Sequence, residues 1–252
     1  MSFKRQDRYI KNIFSTVAPH LDLLTSSFSF GFDHIWRTQA VSRSGILKGD
    51  RVLDVCTGTG KLAFLLSKRV GPGGSVTGAD YCKEMLDLAE IRKGSRYQNV
   101  SFIFSDTKNI SFPDNTFDAV TVAYGIRNIP DTSVALTEIN RVLKPGGRFI
   151  CLELTRPHAP WFRVPYEWYV FKVMPFIAML VTKKAKPYLY LPRSIKAFYS
   201  PDELKQLIAT CGFTDITFDS LTMGIATITK AVKTERASLA EHAEDAEFNQ
   251  HR

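Results

Sequence analysis

The sequence lacks a hydrophobic run long enough to cross a membrane. Its longest apolar stretch, residues 174–182, contains Pro175 and is bounded by Lys172 and Lys183, whereas a spanning helix needs about 20 apolar residues. The opening residues are polar and no apolar core follows them, so we expect no signal peptide. We therefore expect a cytoplasmic protein that is not integral to the membrane, with peripheral contact at the inner face of the membrane left open.

The cysteines lack any CxxC spacing, which favours reduced thiols over a zinc site. We therefore expect no metal. No basic run carries interleaved aromatic residues, so we expect no nucleic acid as partner. The net charge of +8 leaves two interpretations open, an anionic membrane surface as partner or simply a solvated basic surface. The sequence leaves the oligomeric state unknown.

Strand-like apolar runs alternate with helical periodicity in the middle of the chain. Strands are predicted at residues 51–56, 75–79, 100–104, 116–123 and 148–154, and helices at residues 60–70, 83–92 and 132–143. This alternation predicts an α/β fold, with a parallel sheet, right-handed crossovers and helices on both faces. A helix capped by Ser200, at residues 201–211, and a hairpin at residues 215–230 are predicted to follow.

Three segments lie outside this alternation. Residues 1–48 contain a helical, aromatic stretch that we predict to be an N-terminal lid over the carboxyl edge of the sheet. Residues 157–192 are rich in aromatics and prolines, and because proline interrupts helices, we predict two short helices and a connecting loop, inserted within a main domain of residues 49–233. Residues 234–252 are charged and lack an apolar face, so we predict a disordered tail.

A glycine turn joins the first strand to the first helix. Gly58 and Gly60 fit the loose dinucleotide-binding pattern, although a plain tight turn would fit as well. Asp54 inside the strand makes the arrangement resemble the adenosylmethionine-binding motif of class I methyltransferases. Asp80 is placed to accept both ribose hydroxyls of such a donor, and Asp106 its adenine amino group. Asp80 alone would suit a nicotinamide cofactor equally well, and Asp54 could be a structural acid.

Several motifs make this resemblance more specific. The predicted hairpin resembles the antiparallel last strand of methyltransferase sheets, whereas a dinucleotide fold continues with parallel strands. The sequence closely resembles the ubiquinone/menaquinone biosynthesis C-methyltransferases from about residue 13 to residue 233. The segments that carry the resemblance are FPDNTFD at 112–118, YGIRN at 124–128, RVLKPGGR at 141–148, YLYLPRSI at 188–195 and LTMGI at 221–225.

The resemblance implies a Rossmann-like class I methyltransferase fold, with a mostly parallel seven-stranded sheet and an antiparallel last strand. It also implies transfer of a methyl group from S-adenosylmethionine to a ring carbon of a polyprenylated quinol, with naphthoquinol and benzoquinol rings both left open. The aromatic insertion would cover the ring. The residues expected at the donor site are Asp54, Gly58, Thr59, Gly60, Asp80, Asp106, Thr107 and Ala123.

Catalysis needs a ring hydroxyl of the quinol to lose its proton, and an unperturbed phenol titrates near pH 10. Arg127 is the candidate for stabilising the resulting oxyanion, and Asn128 for orienting the ring or a water. A guanidinium is too basic to be a direct base, so Asp22 and His34 are weaker candidates for that role. Arg127 could instead form a structural ion pair at the end of its strand.

The chain also departs from the family pattern at several positions. Lys61 replaces the acid that often follows the glycine turn, and Asp33-His34 replaces a His-Arg pair that is common before Trp36. Residues 21–25 read LDLLT where the family usually has Tyr-Asp-x-Met-Asn. Three other functions stay open: methylation of another small apolar acceptor, NAD(P)-dependent oxidoreduction, and non-catalytic binding of adenosylmethionine.

Overall fold

The computed structural model describes residues 3–157, 159–182 and 190–235. Most of the predicted C-terminal tail and the lysines at positions 183, 184 and 186 lie outside the described residues. Two N-terminal helices precede the sheet, α1 (Phe3–Phe28) and α2 (Phe32–Arg43), joined by a tight turn in which Gly31 adopts a positive φ. The division into a lid, a main domain and a tail stays a prediction.

A seven-stranded sheet forms the centre of the molecule, in the order β3-β2-β1-β4-β5-β7-β6. All strand pairs from β3 to β5 are parallel, and β7 runs antiparallel to both β5 and β6. This confirms the predicted fold class. The strands are β1 (Arg51–Val55), β2 (Ser75–Asp80), β3 (Val100–Phe104), β4 (Phe117–Ala123), β5 (Leu143–Leu154), β6 (Phe213–Leu221) and β7 (Ala226–Lys233).

Helices cover both faces of the sheet because its central strands are apolar on both sides. Leu53 faces a core built with α5 and α9, whereas the adjacent Val52 faces a second core built with α2 and α3, as the two-residue period of a strand requires. The helices that follow α2 are α3 (Lys61–Val70), α4 (Lys83–Lys93), α5 (Thr132–Val142), α6 (Pro160–Trp168), α7 (Met174–Thr182), α8 (Tyr190–Ala197) and α9 (Pro201–Thr210).

The start of β5 differs from the prediction. The sequence predicts a helix over residues 132–143 and a strand only from residue 148, which leaves Lys144-Pro145-Gly146-Gly147 between them. Helix α5 does end just before it, but β5 already begins at Leu143. The register with β4 shifts between the pairs Phe117↔Leu143 and Ala119↔Arg148. The segment is therefore an irregularity within the strand, and the positive φ of Gly146 allows the backbone to make it.

The aromatic insertion also differs from the prediction. A π-helical turn (Tyr169–Val173) joins α6 directly to α7, so residues 160–182 form one continuous helix that is longer than the short helices predicted for residues 157–192; residues 158 and 183–189 lie outside the described residues. Pro160 occupies the first turn, where its missing N–H costs nothing. The π turn ends at Val173, two residues before Pro175, and the N–H of Met174 bonds to the carbonyl of Tyr169. This shift in the backbone hydrogen bonding lets the helix continue past the proline ring.

Candidate active site

Two cavities adjoin at the carboxyl edge of the parallel strands. The glycine-turn cavity, of about 200 Å³, is bordered by Asp54, Gly58, Asp80 and Asp106. The aromatic cavity, of about 470 Å³, lies beside it under the helix of residues 160–182. Both cavities are bordered by the same four residues, Phe14, Leu21, Thr25 and Tyr124.

Positive φ angles shape the glycine turn. Gly58 and Gly60 have φ of 55° and 81°, a region that favours glycine. A Cβ on Gly60 would lie 2.8 Å from the ring of Phe102 and 2.9 Å from that of Phe64, whereas a Cβ on Gly58 would meet no atom within 4 Å. Gly60 is thus needed for packing against the core, and Gly58 leaves open space beside the cavity.

Asp54 is buried beneath the turn. It accepts hydrogen bonds from the hydroxyls of Thr57 (2.6 Å) and Thr121 (2.7 Å), and it is only 1% exposed. Burial raises its pKa to about 6, against the opposing effect of these two hydrogen bonds. Because it also borders the cavity, this carboxyl group is both held by the protein and placed where it can contact a ligand.

Asp80 and Asp106 end neighbouring strands at the cavity. Asp80 accepts the backbone N–H of Gly58 (2.7 Å) and of Cys82 (2.8 Å), and burial raises its pKa. Asp106 is more exposed and accepts the N–H of Lys108 (2.9 Å). The bond from Gly58 ties the glycine turn to the end of β2, so the two predicted donor-binding features are held as one unit.

Most of the predicted site residues meet at the glycine-turn cavity. Gly60 lies behind the turn and does not border the cavity, and Arg127 borders the aromatic cavity instead. His34 is exposed and borders neither. The predicted residues that border the glycine-turn cavity are Asp54, Gly58, Thr59, Asp80, Asp106, Thr107, Ala123 and Asn128, together with the weaker candidate Asp22.

Arg127 forms an ion pair with Glu153, and both side chains are buried. Its guanidinium also donates to the backbone carbonyl of Tyr124 (2.7 Å). Burial raises the pKa of Glu153, although Arg127 acts in the opposite direction. The structural ion pair that the sequence left open as an alternative is therefore observed. Arg127 also borders the aromatic cavity, which is compatible with the predicted role in catalysis. That role stays a prediction.

The sequence reading missed Glu153 because it ends a strand that otherwise reads as apolar core. Asp54 and Asp80 occupy comparable positions near the ends of their strands. An acid near the carboxyl end of a buried parallel strand is the signal that could have identified it.

A charged cluster between the N-terminal helices and the glycine turn was also missed. Lys61 Nζ lies 3.4 Å from Asp22 and 3.5 Å from Asp33, and Asp33 pairs with Arg37 at 2.6 Å. Burial alone would raise the pKa of Asp33, but Arg37 and Lys61 outweigh it and lower the pKa. Thr59 donates to Asp22 at 2.9 Å, so α1 and α2 are held against the turn by charge.

Three buried polar atoms at or next to the cavities have no hydrogen-bond partner within the described part of the chain: the Tyr124 hydroxyl, Asn128 Oδ1 and Ser105 Oγ. Tyr124 and Asn128 border the glycine-turn cavity, and Ser105 directly precedes Asp106. Buried polar atoms are rarely left unsatisfied. Their presence here fits a site that is completed by a polar ligand.

The aromatic cavity is lined mainly by apolar side chains from four regions of the chain. The inner face of the helix of residues 160–182 supplies Phe162, Tyr166 and Tyr169, which agrees with the prediction that the insertion encloses an apolar pocket. Trp161, Trp168 and Phe176 instead point outward and are exposed. The predicted aromatic set is therefore divided between the cavity and the surface.

Within the described residues no cluster of three or more His, Cys, Asp or Glu side chains could hold a metal ion, and none of the described helices is long and apolar enough to span a membrane.

Solved structures share this fold. A SAM-dependent methyltransferase from Aquifex aeolicus aligns with a TM-score of 0.59 at 23% identity, over 78% of this chain and 88% of the other. The [4+2]-cyclase SpnF aligns with a TM-score of 0.66 at 17% identity, over 90% of this chain and 95% of the other. At these identities the likeness shows the fold alone, and the cyclase shows that the fold does not fix the reaction.

Sequence relatives are more informative. A protein named demethylmenaquinone methyltransferase, from Staphylococcus aureus strain JH9, is 38% identical over 223 residues, which cover 88% of this chain and 92% of the relative. The same name and identity hold for its counterpart in strain Newman. The family model described as the ubiE/COQ5 methyltransferase family matches residues 2–233. The predicted resemblance and enzyme class are thereby confirmed: the chain belongs to the ubiE/COQ5 methyltransferase family.

Proposed function

We propose that this enzyme transfers a methyl group from S-adenosylmethionine to a ring carbon of a polyprenylated quinol, with a demethylmenaquinol-type naphthoquinol as acceptor. One observation carries the proposal: a cavity with three carboxylates at strand ends adjoins an apolar cavity, and both are bordered by the same four residues. A polar donor and a lipid acceptor can meet across that boundary. The relatives named demethylmenaquinone methyltransferase favour the naphthoquinol over the benzoquinol ring.

The glycine-turn cavity would hold the donor. Asp80 would accept the ribose hydroxyls, Asp106 the adenine amino group, and Asp54 would face the amino-acid end above the glycine turn. The open space at Gly58 lets the ligand approach the backbone closely. The donor supplies an electrophilic methyl group on a positively charged sulfur, so the protein mainly has to orient the acceptor carbon against it.

The acceptor needs a more nucleophilic ring carbon. Deprotonation of a ring hydroxyl provides it, and Arg127 would stabilise the oxyanion from the aromatic cavity. Asn128 donates to the carbonyl of Tyr124 (3.1 Å), which leaves its oxygen to accept a hydrogen bond from the ring hydroxyl or a water. A carbon–carbon bond then forms as the sulfur–carbon bond breaks, and the ring hydrogen leaves as a proton.

We also propose peripheral contact with the inner face of the membrane, because a polyprenylated acceptor resides in lipid. Lys172 is exposed beside the aromatic cavity, and the sequence adds Lys183, Lys184 and Lys186 after it. Basic residues near apolar ones favour binding to anionic lipid.

Mass spectrometry of a reconstituted reaction tests the function. The purified enzyme with deuterated-methyl donor should add the labelled methyl to a short-tail demethylnaphthoquinol faster than to a benzoquinol. Adenosylhomocysteine, but not NAD(P), should raise its melting temperature. Stabilisation by NAD(P) alone would point to an oxidoreductase. Donor binding without transfer to either ring would leave a methyltransferase for another acceptor or a non-catalytic binding module.

A further inference from the structure

The helix of residues 160–182 presents an apolar stripe to solvent. Trp161, Val164 and Trp168 are 70%, 67% and 63% exposed, and Phe176 and Met179 are 57% and 44% exposed. Their spacing of three or four residues, interrupted by one doubled step, places them along a single helix face. Large apolar side chains scattered singly on a surface are normal, but five in one line are not.

The opposite face of this helix lines the aromatic cavity. Phe162, Tyr166 and Tyr169 border the cavity, and Val170 and Met174 are buried. The wall between the cavity and the outer stripe is thus one helix thick. A helix that is apolar on both faces is expected to have an apolar partner on each side, and among the described residues the fold supplies a partner for the inner face alone.

Phe30 marks where the cavity reaches the surface. Its side chain borders the aromatic cavity and is nevertheless 78% exposed. Its ring stacks on that of Tyr169, with centroids 5.8 Å apart, and the Tyr169 hydroxyl donates to the carbonyl of Phe28 (3.1 Å). The mouth of the cavity therefore lies against the middle of the same helix, at Tyr169.

Charge identifies the occupant of the stripe. Among the exposed positions of residues 160–179 the charged residue is Lys172, the sequence adds three lysines shortly after the helix, and the chain carries a net charge of +8. Glu167 is half-buried and pairs with Arg156 at 2.8 Å. An apolar face that carries two tryptophans and an exposed lysine complements the interface of a bilayer that contains anionic lipid.

We infer that the outward face formed by Trp161, Val164, Trp168, Phe176 and Met179 lies in the interface of an anionic bilayer, with the mouth of the aromatic cavity at Phe30 opening to the lipid. The inference rests on the proposed function for the lipid nature of the acceptor. It assigns the surface and the orientation, so that a prenylated ring enters the cavity from the membrane without crossing water.

Vesicle flotation tests the surface. The full-length protein should float with vesicles of phosphatidylcholine and phosphatidylglycerol, and less with phosphatidylcholine alone. Trp168→Glu should reduce the bound fraction about tenfold, because it places a like charge at the lipid surface and removes a large apolar contact. Ile91→Glu is the matched control: Ile91 is 77% exposed on α4, and this variant should float like the wild type.

Activity separates docking from chemistry. Trp168→Glu should keep wild-type turnover on a short-tail quinol in solution and lose turnover on a long-tail quinol in anionic vesicles by a similar factor of about ten. Flotation of Trp168→Glu equal to the wild type, or no flotation of the wild type on either vesicle, overturns the inference. Failure of the wild type to methylate the short-tail quinol would instead contradict the proposed function, without affecting the conclusion from flotation.

Tryptophan fluorescence gives an independent measurement. Trp161 and Trp168 should shift to shorter wavelength on anionic vesicles and be quenched by brominated lipid, whereas Trp36, which is buried, should not respond. A Trp161→Phe/Trp168→Phe variant keeps the apolar surface and should still float, but without quenching. If sedimentation shows a wild-type dimer that Trp168→Glu dissociates while vesicle binding persists, the stripe is an interface between copies and the inference is wrong.

Discussion

At the scale of single residues, the site depends on buried charges whose partners are far apart in the sequence. Arg127 and Glu153 are 26 residues apart and meet at the ends of β4 and β5. The motif around Arg127 was recognisable in the sequence, but the ion pair was not, because Glu153 lies in an apolar strand. The effect of a substitution at Arg127 therefore has to be interpreted together with its ion-pair partner Glu153.

Arg127→Ala alone would confuse two effects, because it leaves Glu153 buried without its cation, at a cost of about 3–5 kcal/mol of unfolding free energy. Arg127→Ala/Glu153→Gln should recover most of that stability in urea unfolding. If Arg127 stabilises an oxyanion, turnover of the double variant should still be about 10²-fold below wild type, with adenosylhomocysteine affinity nearly unchanged. Wild-type turnover in the double variant would make Arg127 purely structural.

The two glycines of the turn should respond differently to alanine. Gly60→Ala should lower the unfolding free energy by about 2 kcal/mol or more, because the new Cβ would overlap with the rings of Phe64 and Phe102. Gly58→Ala carries mainly the strain of a positive φ, about 1 kcal/mol, but fills space beside the cavity and should weaken adenosylhomocysteine binding about tenfold. Equal losses of affinity in the two folded variants would contradict this assignment.

Asp54 should make the free energy of unfolding depend on pH in a characteristic way. Its pKa in the folded protein, about 6, lies above the unfolded value near 3.8, so folding favours the protonated form and the stabilising contribution is lost as pH rises through about 6. Asp54→Asn should therefore gain stability relative to wild type between about pH 4 and pH 6, by on the order of 3 kcal/mol. If the unfolding free energies of the two proteins, measured in urea, change with pH in the same way, Asp54 is not buried as described.

At the scale of elements, two departures from the family pattern are explained by one contact. Lys61 at the start of α3 lies 3.5 Å from Asp33 at the start of α2. The family often has an acid after the glycine turn, and often a histidine as the first residue of the pair that Asp33-His34 replaces. This chain has a cation at one of these positions and an acid at the other, and the ion pair between them holds α2 against the turn.

A double-mutant cycle tests this ion pair. Lys61→Asp would place a third carboxylate beside Asp22 and Asp33 and should lower stability. Asp33→His/Lys61→Asp should recover much of the loss, with a coupling energy on the order of 1–3 kcal/mol in urea unfolding. Lys61→Met, which removes the charge without reversing it, serves as the control. Additive effects of the two single substitutions would mean that the positions do not act as a pair.

The pattern of elements was largely predictable, because strand and helix periodicity and glycine or proline boundaries are local signals. The strand Val100–Phe104 and the capping box at Ser200 agree with expectation. The unbroken helix of residues 160–182 was not predictable from its prolines, because a π turn can offset a proline and has no clear sequence signal. The outward stripe was not predictable for the same reason, since its spacing becomes a single face only along a continuous helix.

At the scale of the whole molecule, the sheet edge unites two kinds of surface. The strand ends carry carboxyl groups that border one cavity, the N-terminal helices and the insertion enclose an apolar second cavity, and Tyr124 borders both. That these acids lie together at the sheet edge could be predicted from the sequence, because they follow successive strands. The position of the boundary between the two cavities could not be predicted, since it depends on how α1 and the insertion pack over the sheet.

Calorimetric titration with adenosylhomocysteine tests the central claim most directly. The account predicts saturable binding at one site per chain, and a clearly lower affinity in Asp80→Asn, which loses a charged acceptor for the ribose hydroxyls. The Asp80→Asn variant should still bind a short-tail quinone in a subsequent titration, because the proposed acceptor cavity is separate. A folded wild-type protein that gives no heat with adenosylhomocysteine, or an Asp80→Asn variant that binds it as tightly, would contradict the account.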